Sequence, residues 1–162
     1  MRRLVWFTVL AFALAAPAVG FALSGTDDGT LSIKAGIGKV YLKFNGSAVG
    51  RLQHGVIQIT DPVPNDGAGV DFSGCDERDR IDTTSICRGT NLRFRAIGGK
   101  YQILIKGTGS YLSAVGYGYA VLNGAGDDLN IPTDGTYSLN DGPYKSLPNL
   151  RTTFNIVAPP GG

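Results

Sequence analysis

Leu92-Arg93-Phe94-Arg95-Ala96-Ile97-Gly98-Gly99-Lys100-Tyr101-Gln102-Ile103-Leu104-Ile105 alternates apolar and polar side chains on both sides of a glycine pair. A period of two is the signature of a half-buried strand. Glycine tolerates the positive φ that two-residue hairpin turns demand, so Gly98-Gly99 predicts a turn with Ile97 facing Lys100. Leu92 then meets Ile105, Phe94 meets Ile103, and Ala96 meets Tyr101 on one face. Arg93 meets Leu104 and Arg95 meets Gln102 on the other. This register sorts apolar from polar across both strands and predicts an antiparallel hairpin.

The same alternation recurs outward from this stretch. Val40, Leu42 and Phe44 alternate with Lys39, Tyr41 and Lys43, and Phe154 and Ile156 mark a last strand over 153–157. Joints are read at Asn45-Gly46, Pro64-Asn65-Asp66-Gly67, Asn123-Gly124, Asp134-Gly135 and Asn140-Asp141-Gly142, where Gly, Asn and Asp favour turns. Nothing after Gly29 repeats at the helical period. Gly38 to Gly46 resembles Gly99 to Gly107, and an Ala-Val-Gly triplet follows each (Ala48 to Gly50, Ala114 to Gly116). Two copies fit a duplicated sheet. The fold class is therefore all-β, an antiparallel β-sandwich or flattened barrel, with a short β-solenoid as the alternative.

The chain has 162 residues, of which 24 are glycine, with 43% hydrophobic and 17% charged residues. That apolar share excludes intrinsic disorder, and the length supports one domain. The start, Met1-Arg2-Arg3 followed by an apolar run to Ala16 and small residues, has the three-part plan of a signal peptide. Cleavage is expected after Ala18 or Ala22, and an uncleaved anchor is the rival reading. The division is a leader helix at 1–22 and one all-β domain at 23–162. The net charge of +2 is that of Arg2 and Arg3. The mature domain is neutral, which argues against nucleic acid or an anionic membrane surface as partner. In an exported chain, the isolated pair Cys75 and Cys87 reads as a structural disulfide.

The segment Ser110 to Asn123 places Tyr111, Ser113, Val115, Tyr117, Tyr119 and Val121 on one face and small or apolar residues on the other. Tyr111, Tyr117 and Tyr119 are the candidate ligand-binding residues, a platform on which a sugar ring could stack. Two acidic loops, Asp61 with Asn65, Asp66 and Asp71, and Asp127, Asp128 and Asn130 with Asp134, offer oxygens to calcium, but Asp and Asn serve turns equally well, so no metal or cofactor is assigned. His54 is the sole histidine and Glu77 the sole glutamate. No nucleophile motif accompanies them, and no catalytic residue is assigned. The expected function is an exported, non-catalytic structural or interaction domain of the cell envelope or extracellular space. Its partner would be a cell-wall or extracellular polysaccharide or another envelope protein. A carbohydrate-binding module using the strand tyrosines and a small secreted hydrolase are the alternatives.

Overall fold

The computed structural model describes residues 28–63, 67, 69–126 and 134–158, so the leader and both of its cleavage points lie outside the described residues. The described chain is all-β, without a helix. Its strands are β1 (Gly29–Thr60), β2 (Gly69–Ser73), β3 (Glu77–Ile81), β4 (Thr84–Gly124), β5 (Thr136–Leu139), β6 (Lys145–Ser146) and β7 (Thr152–Ile156). All their pairings are antiparallel, and they form one sheet that is not closed. Antiparallel pairing leaves no place for the parallel coil-on-coil ladders of a β-solenoid, and that alternative falls.

β1 has 32 residues and β4 has 41, several times the common strand length. Their register explains how such strands fit one core. Val40 lies between Ile105 and Leu122, and Leu42 between Ile103 and Ala120. Ile103 in turn lies between Leu42 and Ile59, two residues of the same strand 17 positions apart. A flat ribbon cannot place both beside one residue. The two strands therefore wind together, returning on themselves after about 17 residues. The inward positions of this coil form a single apolar core in which Leu42, Leu52, Ile57, Ile59, Leu92, Tyr101, Ile103 and Leu122 are fully buried.

Winding this tight brings backbones together, and glycine makes room. Gly55 and Gly107 are direct partners. A Cβ on Gly55 would sit 2.2 Å from the carbonyl oxygen of Lys106, and one on Gly107 would sit 2.1 Å from that of His54. Both glycines also have positive φ, +143° and +152°, where a side chain is strained. Gly46 and Gly116 oppose each other in the same way, one half-turn away.

The hairpin expected at Gly98-Gly99 is not there. Phe94 is flanked by Gly50 and Phe72, not Ile103, and both sides of Ile103 are taken by β1. β4 runs straight through the glycine pair. The pairing with β1 steps from Gly46–Gly99 to Ala48–Ala96, so three residues of β4 advance against two of β1. That is a β-bulge, with Gly98 at φ +68° supplying the left-handed residue. The amide of Gly98 donates to Ser47 Oγ at 3.1 Å. A bulge and a two-residue turn both move the apolar set from even to odd positions. Alternation thus predicts the correct face, with Leu92, Phe94, Ala96, Tyr101, Ile103 and Ile105 buried, and the wrong partner. Asn45-Gly46 likewise lies inside a strand rather than at a turn.

Other expectations hold in part. The two resembling segments lie side by side, Gly38 against Gly107 and Gly46 against Gly99, and Ala48 pairs with Ala114. The last strand is Thr152–Ile156, one residue earlier than expected. Asn140 and Asp141 take φ of +50° and +54°, and Gly142 N–H donates to the Leu139 carbonyl at 3.0 Å, a type I′ turn. Cys75 and Cys87 form a disulfide. It braces the β3–β4 hairpin, whose charged face is solvated and whose Arg88 pairs with Asp79 and Glu77.

Candidate functional site

The candidate tyrosines share the outer face of β4, because strand alternation puts Leu112, Ala114 and Ala120 into the core. They do not share one site. Six residues of strand, about 20 Å along the chain, separate Tyr111 from Tyr117, with Gly116 between them, and the two line different concavities. Tyr117 is 48% exposed, and its hydroxyl accepts from Asn45 Nδ2 at 2.8 Å. With Tyr119, Lys43, Lys100 and Pro62 it lines a groove of about 340 Å³. The Tyr119 ring lies 6.2 Å from that of Tyr41, whose hydroxyl donates to Gln102 Oε1 at 3.1 Å. Burial first, and then the neighbouring Tyr119, raise the Tyr41 phenol above its ordinary value.

Tyr111 belongs to a different and larger concavity, an open trough of about 640 Å³. Its floor is a row running across strands. Tyr111 pairs with Arg51, and Arg51 pairs with Arg93. The Arg51 guanidinium lies 4.1 Å from the Tyr111 ring centroid. At one end Lys34 Nζ sits 3.9 Å from the Tyr144 ring centroid. In the adjoining row Ser32 pairs with Ser113. Alternation puts Arg93 on the face opposite the apolar one and singles out none of Lys34, Arg51 and Tyr144. The available signal was a set of outward arginines in two long strands, β1 and β4, that themselves contain no Asp or Glu; the one acid facing the set is Asp71 of β2, opposite Arg95.

The remaining candidates stay apart. His54 is exposed on β1 between Thr90 and Thr108. Asp61 accepts the amide of Val63 at 3.1 Å, the local role that turn-forming aspartates take, and Asp134 accepts the amide of Gly126, eight residues earlier, at 2.8 Å. Asn65, Asp66, Asp127, Asp128 and Asn130 lie outside the described residues. Among the described residues no three His, Cys, Asp or Glu side chains gather as a metal site. No protein-family model, curated protein or solved structure matches the chain.

Proposed function

We propose that the chain is an exported, non-catalytic interaction domain of the cell envelope or extracellular space. The observation that carries this reading is the trough of Tyr111, Arg51 and Arg93, an open concavity on the outer face of the sheet. Aromatic and cationic side chains on such a face suit binding of an extended partner better than enclosure of a reaction. The basic and apolar leader and the Cys75–Cys87 bond support export, since disulfides persist in oxidising compartments. The coiled sheet is read as a flattened sandwich, because glycine pairs oppose each other at half-turn intervals where strands must bend.

A second reading, a carbohydrate-binding module centred on Tyr117 and Tyr119, is favoured by the exposure of Tyr117 beside the apolar-walled groove. Pull-down of isolated envelope and extracellular material by the purified chain tests the interaction reading, with a glycan array in parallel. Retention of a defined component supports it. Recovery of nothing, with turnover of a hydrolase substrate instead, overturns it.

A further inference from the structure

We propose that the trough on the outer face binds a carboxylate-bearing polysaccharide, with Arg51 and Arg93 taking its acidic groups. The inference rests on the interaction-domain reading and narrows its ligand. Arg51 and Arg93 are direct cross-strand partners, and like charges so placed destabilise a sheet. Among the described residues neither has an ion-pair partner, whereas Glu77 and Asp79 are both directed at Arg88 on another part of the surface. Lys34 adds a third positive charge to the same concavity. An anion lying between the two guanidinium groups turns this repulsion into two attractions.

The cations are also held in place. Arg51 lies against the Tyr111 ring and Lys34 against the Tyr144 ring, so cation–π contact restrains side chains that would otherwise lose rotamer freedom on binding. The planar arginine fork matches a carboxylate with two parallel hydrogen bonds. The trough is open across several strands rather than closed around a small ion, and the paired hydroxyls of Ser32 and Ser113 suit the alcohol groups of a sugar chain. Single-stranded nucleic acid fits less well. The Tyr111 and Tyr144 rings each already carry a cation on one face, whereas stacked bases need open aromatic faces.

The test is titration calorimetry of the full-length chain with polygalacturonate, with dextran and a single-stranded DNA oligonucleotide as comparators. Wild type, Arg51→Ala, Arg93→Ala and Lys106→Ala are measured, with a circular-dichroism melt of each. Polygalacturonate should bind in a salt-sensitive manner and dextran should not. Each arginine variant should remain folded and lose about tenfold or more in affinity, as loss of a charge-assisted hydrogen bond predicts, while Lys106→Ala changes it less than twofold. Lack of polygalacturonate binding, or arginine variants that bind as wild type does, overturns the proposal. Equal, arginine-dependent binding of the DNA overturns it too, by making the trough a general polyanion site. If envelope pull-down persists unchanged in Arg51→Ala, the interaction reading stands and this ligand does not. If wild type retains neither, both fall.

Discussion

The hydroxyl of Tyr101 lies 2.9 Å from the carbonyl oxygen of Ile97, four residues back along the same strand. It also lies 3.2 Å from the carbonyl of Gly69 on β2. Tyr101 is 1% exposed, and its hydroxyl is directed at these two backbone carbonyls. It ties down the bulge that shifts the apolar face of β4 from even to odd positions. Tyr101→Phe keeps the ring and its packing against Phe44 and should cost about 1–1.5 kcal/mol, the net worth of a buried hydrogen bond. Urea unfolding of the pair measures it, and an unchanged midpoint would separate the hydroxyl from the stability of the bulge.

The glycine pairs make a sharper prediction about winding. Gly107→Ala forces a Cβ against the His54 carbonyl oxygen at a φ of +152°. A cost of about 3 kcal/mol or more is expected, from backbone strain and a contact that cannot relax. Gly69→Ala is the control, because nothing lies within 4 Å of its missing Cβ, and it should stay within about 0.5 kcal/mol of wild type. Equal melting temperatures for the two variants would contradict the close approach of β1 and β4.

Phe94 is 4% exposed in the core, and Arg95 points outward from the next position. Phe94→Ala should cost about 3–5 kcal/mol through cavity formation, and Arg95→Ala about 0.5 kcal/mol or less. Thermal or urea melts of both variants check the contrast. An Arg95→Ala variant as unstable as Phe94→Ala would mean that the face assignment is inverted.

These same two residues show what was legible in the sequence. Alternation around Phe94 and Arg95 gave the inner and outer faces correctly, because a strand's side-chain period is fixed whatever its neighbour. The partner was not legible. Phe94 pairs with Gly50 and Phe72, and those contacts depend on a coil that returns after about 17 residues. Glycines at Gly46 and Gly98 read locally as turns, yet they relieve backbone contact or form a bulge within continuous strands. The trough was hidden for the same reason. Tyr111, Arg51 and Arg93 are adjacent only through long-range register, so no sequence spacing joins them.

The raised pKa of Tyr41 sets an alkaline limit. Burial and then Tyr119 disfavour its ionised form in the folded chain, so the folded value exceeds the unfolded one. The associated stability is fully present below the unfolded pKa, about 10, and is lost as pH rises through the folded value. Melting temperature should therefore fall more steeply between pH 9 and pH 11, about one unit either side of that reference, in wild type than in Tyr41→Phe. Parallel slopes in the two proteins would show that Tyr41 ionises equally easily in both states.

Arg93→Glu separates what the trough contributes to stability from what it does. Arg93 and Arg51 face each other across β4 and β1, so the present pair repels and the substituted pair attracts. An exposed cross-strand ion pair is worth about 0.2–1 kcal/mol, and removing a repulsion adds a contribution of the same sign. The variant should therefore melt at or above the wild-type temperature. Its trough loses one positive charge and gains a negative one that occupies Arg51, so binding of an acidic polymer should be abolished rather than merely weakened. Arg93→Ala, which removes the repulsion without engaging Arg51, should fall between the two in affinity. Raised salt should erase the stability difference between wild type and Arg93→Glu, because screening acts on exposed charges. A less stable Arg93→Glu protein would mean that the two side chains diverge in solution, and the argument from their repulsion would fail.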